Sequence, residues 1–196
     1  MKPKVFLITG VARAGKDTFA AFLMDNFSIN NYKVEIFKFA NVLKDRGNDA
    51  LKSLAFYEKG KIDFHNEEFK DKNRGMLVEM GKTMRSLDKD VFARHLNAEL
   101  SMFFEFCPLD SNPVAIISDW RYLNEYNFVK KYQQDAEIIA IEICRPGFAP
   151  ANEEESESLK ELFGCNIIDH IRTADNPYTL KQFAKEISLN YTKKYV

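Results

Sequence analysis

The residues whose types and spacing could do chemistry begin at Gly10-Val11-Ala12-Arg13-Ala14-Gly15-Lys16-Asp17-Thr18. Successive backbone N–H groups of a glycine-rich turn can surround phosphate oxygens closely, where bulky side chains would block the approach. A helix starting at Lys16 would add the partial positive charge of its N-terminus. The Lys16 ammonium is then placed to reach the β- and γ-phosphates of a triphosphate, and the Thr18 hydroxyl is available for phosphate or for a Mg²⁺ shell. The pattern Gly-x-x-x-x-Gly-Lys is complete, but Asp17 stands where a serine or threonine usually follows the lysine, so the hydroxyl comes one place late. Two metal arrangements follow as expectations: magnesium held partly through water, or approached by Asp17.

A second group lies far along the chain. Asp119 and Arg121 follow the apolar run Val114-Ala115-Ile116-Ile117-Ser118. An acid at the C-terminal end of a parallel strand beside a phosphate loop can organise Mg²⁺, its waters, or an attacking group. Arg121 offers a planar fork to phosphate oxygens. The plainer alternative is that Asp119 caps the next helix and pairs with Arg121. Arg145, after the run Glu137–Ile143, and Lys44, after Lys33–Phe39, fall at corresponding strand ends. Ligands of open parallel sheets bind at such an edge.

The elements that must hold these residues can be read from periodicity. Val5–Thr9 is an unbroken β-prone run, and Phe19, Ala20, Phe22 and Leu23 begin a helical pattern that fades near Asn26 to Asn31. Residues 33–39 alternate as a second strand, and Ala40–Asp45 reads as a loop entering a helix. From Asp45 to Leu109 the pattern is helical with a polar break around Gly60 to Asn66, and its apolar stripe through Met76, Leu77, Met80, Met84 and Leu87 reads as core. The cations Lys72, Arg74, Lys82 and Arg85 in that stretch suit a phosphate or a solvated face equally by spacing. Residues 114–118 and 137–143 are strands, 167–171 a last strand, and 180–195 a closing helix. Phe148 to Asn166 reads as an exposed loop and short helix, a candidate lid, with Glu153, Glu154 and Glu155 as solubilising acids. Strands alternating with helices indicate an α/β fold with a mostly parallel sheet.

Composition narrows the partners. Twenty-eight Lys and Arg against 29 Asp and Glu give a net charge of −1, which argues against general nucleic-acid coating. Cys107, Cys144 and Cys165 are widely spaced, and His65, His95 and His170 have no neighbour that makes a metal or nucleophile case. Reduced thiols and the lack of a long apolar run point to a cytoplasmic protein without a membrane span.

The loop Gly10–Thr18 resembles the Gly-Val-x-x-x-Gly-Lys-Asp-Thr loop of bacteriophage-type deoxynucleoside monophosphate kinases. The similarity continues through Phe39-Ala40 with Leu43-Lys44, from Arg74 through Met80-Gly81 to Asp90 and Phe92, through Asp119-x-Arg121, and through Arg145-Pro146-Gly147. The resemblance implies a three-layer P-loop NTPase fold of about five mostly parallel strands. It also implies one kinase domain over 1–196, with a helical acceptor-binding insertion at about 41–110 and a lid at about 147–166. The implied activity is transfer of the γ-phosphoryl of ATP, with Mg²⁺, to a nucleoside or deoxynucleoside monophosphate.

Carried over by position, Lys16 and the loop Gly10, Val11, Ala12, Arg13, Ala14, Gly15, Asp17 and Thr18 bind the ATP phosphates. Lys44, Arg74, Arg85 and Arg121 are acceptor-side residues, Asp119 with Thr18 serves the metal, and Arg145 stabilises charge on the transferred group. The expected partners are a small-molecule nucleotide acceptor and, at most, a second copy of the chain, with neither membrane nor polynucleotide. The chain is short between its second and third strands, where acceptor recognition is usually built. The animal-type phosphomevalonate kinases look similar in the same places, so a phosphorylated acceptor that is not a nucleotide stays open. A third reading is a nucleotide-binding protein without turnover, for which the late Thr18 hydroxyl is the best support.

Overall fold

The computed structural model describes residues 2–53, 62–108 and 111–192. Five strands, β1 (Lys4–Thr9), β2 (Lys33–Phe37), β3 (Pro113–Ile117), β4 (Glu137–Cys144) and β5 (His170–Thr173), form one sheet in the order β2-β3-β1-β4-β5. Every pairing is parallel. The helices are α1 (Lys16–Ile29), α2 (Phe39–Ser53), α3 (Glu67–Lys72), α4 (Arg74–Leu87), α5 (Val91–Glu105), α6 (Leu123–Tyr132), α7 (Glu153–Gly164) and α8 (Pro177–Thr192).

The sheet order explains the strand sequences. β1 lies at the centre with helices on both faces, so Lys4 to Thr9 are buried throughout and the run needs no polar alternation. β2 lies at an edge and alternates exposed with half-buried residues. On one face Phe6, Ile8, Ile116 and Ile141 pack against Phe19, Leu23 and Phe27 of α1 and Phe183 and Ile187 of α8. On the other face Val5, Leu7, Ile117 and Ala140 pack against Val42, Phe92, Leu96, Val129 and Leu162 of α2, α5, α6 and α7. The result is the parallel α/β sheet expected from the alternating pattern, in the three layers that the resemblance implied.

Three boundaries differ from expectation. The second strand stops at Phe37, and α2 starts at Phe39, so Ala40–Asp45 is helix and not loop. The last strand is His170–Thr173, not 167–171. Ile167 and Ile168 pack half-buried against the second core, while Asp169 ties that segment to β4 by donating its N–H to the Ala140 carbonyl and accepting the Ala140 N–H at 2.7 Å. Glu155, expected as a solubilising acid, is buried, because its carboxylate accepts the Ala151 N–H at 2.6 Å at the start of α7. Part of the expected polar break at 60–66, and the ends at 109 and 193–195, lie outside the described residues.

Candidate active site

β1 ends at Thr9, and the chain must turn sharply to place α1 across the sheet. Gly10 makes that turn with φ 134°, and a Cβ there would sit 2.1 Å from the Ile143 carbonyl oxygen. Only glycine fits. Arg13 and Gly15 also take positive φ, 65° and 97°, which curls the loop back over the start of α1. Lys16 closes it, with Nζ donating to the carbonyls of Gly10 at 2.7 Å and Val11 at 2.8 Å. Burial, then the neighbouring Arg121 guanidinium, lowers the Lys16 pKa below the usual lysine range. Glu155, Asp17 and Asp119 oppose that shift. The loop lysine therefore lies within the field of a second cation and three acids drawn from three separate stretches of chain.

The two residues after Lys16 have different partners. Asp17 Oδ1 accepts the Ser118 hydroxyl at 2.8 Å and faces the Lys38 ammonium at 2.7 Å. Burial works to raise the Asp17 pKa, but the bonds from Lys38 and Ser118 outweigh it and hold the carboxyl below the usual range. Thr18 instead lines a cleft of about 90 Å³ with Ala14, Gly15, Arg145, Asn176, Pro177 and Leu180.

Asp119 is half-buried beyond the end of β3. Oδ1 accepts the Phe39 N–H at 2.7 Å and Oδ2 the Ala40 N–H at 2.9 Å. It therefore caps the N-terminus of α2, not the helix that follows it in sequence. Burial raises its pKa, and the two N–H groups, Arg121 and Lys38 resist that rise. The capping role at the turn into α6 belongs to Glu125, whose Oε2 accepts the N–H groups of Arg121 at 3.0 Å and Tyr122 at 3.1 Å. Burial pushes the Glu125 carboxyl up to about 7. Arg121 itself is exposed on the turn that Glu125 holds.

The remaining cations divide. Lys44, half-buried on the second turn of α2, has its pKa lowered by burial and then by Lys38 and Lys70. The Arg85 guanidinium lies 4.8 Å from the Phe92 ring centroid and 4.6 Å from that of Tyr122, with the Tyr122 hydroxyl donating in turn to Glu154 of α7. Arg145 stands on the cleft side, donating to the Arg13 carbonyl at 3.2 Å and covering the Phe148 ring at 4.5 Å. Arg74 is exposed at the first position of α4.

The structure thus links the loop, Asp119 and Arg121 through their fields and brings Lys44 within the field of Asp119, while Arg145 closes the Thr18 side. Lys38, Ser118, Glu125 and Tyr122 contact the candidate residues and were missed by sequence reasoning. Two of them come together only through the strand pairing, which the sequence does not show. Phe37 pairs with Ile117, so Lys38 and Ser118 follow side by side at adjacent strand ends.

The donor set suits a hard cation. Asp17 and Ser118 present oxygen atoms around an ammonium, and magnesium is typically held by one or two carboxylates with phosphate and water. Among the described residues no three His, Cys, Asp or Glu side chains form a metal cluster, so phosphate and water oxygens would have to supply the remaining ligands. No helix among the described residues is long and apolar enough to cross a membrane.

No family model matches the chain, and no curated protein matches it by sequence. Solved structures do resemble it. A dephospho-CoA kinase from Campylobacter jejuni aligns over 97% of this chain and 98% of its own, with 11% identity and a TM-score of 0.54. An APS kinase of Mycobacterium tuberculosis aligns over 95% of this chain and 94% of its own, with 12% identity and a TM-score of 0.50. At such identities the likeness is one of fold alone: a five-stranded parallel sheet flanked by helices, shared with these two kinases.

Proposed function

We propose that the protein transfers the γ-phosphoryl group of ATP, bound with Mg²⁺, to a nucleoside or deoxynucleoside monophosphate. The observation that carries this reading is the loop Gly10–Thr18. Its positive-φ turn at the end of the central strand and its half-buried lysine share one field with Asp119 and Arg121. Phosphoryl transfer asks a protein for positioning and charge neutralisation more than for covalent chemistry. This edge of the sheet supplies both.

In this reading the loop amides and Lys16 hold the β- and γ-phosphates, and the Thr18–Arg145 cleft takes the nucleoside end of ATP. Lys44, Arg85 and Arg121 draw in the acceptor phosphate, with Arg74 at the outer rim. The α2–α5 segment between β2 and β3 forms the acceptor side, and α7 closes over it through the Tyr122–Glu154 bond. Asp17, Ser118 and Thr18 would hold the magnesium, which when bound screens the phosphate charges. Asp119 fixes the start of α2, and so the position of Lys44. Arg121, held by Glu125, faces the bridging region between donor and acceptor. Arg145 neutralises charge from the cleft side.

One observation favours a second reading. The half-buried ring of Tyr122, which could stack on a nucleobase, is covered by Arg85. An acceptor with a phosphate but no base, such as phosphomevalonate, would use the guanidinium and leave the ring as it is. Incubation with γ-labelled ATP and a panel of nucleoside monophosphates, deoxynucleoside monophosphates and phosphomevalonate separates the two. A labelled diphosphate of one class names the acceptor. Label in none of them rejects both.

A further inference from the structure

Asp17 occupies the position at which P-loop enzymes usually offer a neutral hydroxyl to the metal. A carboxylate there brings a full negative charge to within one residue of the lysine that must meet a polyanion, and burial already lowers the pKa of that lysine. The structure places a specific answer beside it. The Lys38 ammonium lies 2.7 Å from Asp17 Oδ1, and the Ser118 hydroxyl donates to the same oxygen at 2.8 Å.

This geometry follows from the register. β2 and β3 are neighbours with Phe37 opposite Ile117, so Lys38 and Ser118 leave the sheet together and converge on the first turn of α1. The Lys38 side chain is 32% exposed and that of Asp17 71% exposed, so the pair stands at the open rim of the loop and not in the core. A lysine is a point charge on a flexible stem, able to hold a carboxylate and to leave it. A magnesium ion would seek the same oxygens, a carboxylate and a hydroxyl.

We infer that Lys38 is a resident counter-cation for Asp17 that competes with the divalent metal, so that this pair sets how strongly nucleotide binding depends on magnesium. The inference rests on the nucleotide-binding reading of the loop. With Lys38 in place, metal-free ATP meets a neutralised carboxylate. Mg·ATP must displace the ammonium, which is then free to turn toward phosphate. Without Lys38 the bare carboxylate repels metal-free ATP and attracts the metal complex. Binding of metal and nucleotide is thereby coupled, and couplings of this kind typically span factors of about 5 to 150.

The test is calorimetric titration of the full chain with ATP in excess Mg²⁺ and with ATP in EDTA. The quantity read is the ratio of the two dissociation constants. Lys38→Met is expected to raise the preference for the magnesium form on the order of tenfold, and Lys38→Arg to keep it near wild type. Asp17→Asn is expected to lower the preference, and Lys38→Met added to Asp17→Asn to change it no further. Melting curves confirm that each variant is folded. An unchanged ratio in folded Lys38→Met, or equal weakening of both forms, overturns the inference: the first makes the pair a surface ion pair only, the second makes Lys38 a plain phosphate ligand. Absence of ATP binding by wild type in either buffer instead removes the nucleotide-binding reading itself.

Discussion

Asp119 and Phe39, 80 positions apart, are joined by a 2.7 Å hydrogen bond from the Phe39 N–H to Asp119 Oδ1. With the companion bond from Ala40 at 2.9 Å, one carboxylate fixes the N-terminus of α2 to the end of β3. An N-capping acid contributes typically about 1 kcal/mol, and leaving buried N–H groups unpaired costs about 1–3 kcal/mol. Asp119→Ala is therefore expected to lower stability by about 2 kcal/mol in urea unfolding, with Asp119→Asn costing less. Because Lys44 rides on α2, Asp119→Asn is also expected to raise the KM for acceptor more than the KM for ATP. Equal effects on both would place Asp119 on the donor side instead.

Glu125 makes a pH prediction. Its carboxyl is raised to about 7 from an ordinary 4.5, so the folded state holds the proton more tightly than the unfolded chain does. Stability is then complete below about pH 4.5 and is lost as pH rises toward and past 7. The loss from this group is on the order of 3 kcal/mol at most. Glu125→Gln keeps an oxygen for the Arg121 and Tyr122 N–H groups and removes the titration. The difference in unfolding free energy between variant and wild type should grow in favour of the variant from pH 5 to 8. A flat difference would mean that Glu125 stays ionised when folded.

The two loop glycines are expected to differ. A Cβ at Gly10 meets backbone at 2.1 Å, whereas at Gly15 it meets only the Leu180 Cδ1 at 2.8 Å. Both backbones are in positive φ. Gly10→Ala should destabilise by more than about 2 kcal/mol, and Gly15→Ala by less, with ATP binding lost in both because the loop is reshaped. Thermal unfolding and ATP titration of the two variants check the order.

The Tyr122–Glu154 bond ties the turn before α6 to α7. Burial, with the bond to Glu154, raises the Tyr122 hydroxyl to about 12, so it remains a donor across the neutral range. Tyr122→Phe is expected to loosen residues 147–166, seen as faster proteolysis there in the free protein. A bisubstrate analogue should slow cleavage in wild type. Equal cleavage with and without the analogue would count against a lid.

Much of the fold was legible because apolar runs and glycine punctuation are local signals. Val5–Thr9 and residues 114–118 could hardly be anything but central strands, and Gly10, Gly15 and Lys16 announced the loop between strand and helix. The last strand was misplaced because Ile167 and Ile168 look β-prone, while the ladder is formed by the polar edge sequence His170–Thr173. For the candidate site, the nearness of Lys16 and Arg121 was readable from position alone. The partners of Asp119 and Asp17 were not, since they depend on which strands lie side by side. Phe39, Lys38 and Ser118 become neighbours only once β2 has crossed to the outside of β3.

The most direct measurement is ADP release from Mg·ATP with each nucleoside monophosphate, deoxynucleoside monophosphate and phosphomevalonate in turn, for wild type and Lys16→Ala. The proposed kinase requires acceptor-stimulated release by wild type that falls on the order of 10²-fold or more in the variant. ATP binding without stimulation by any acceptor would contradict it and leave a nucleotide-binding protein without turnover.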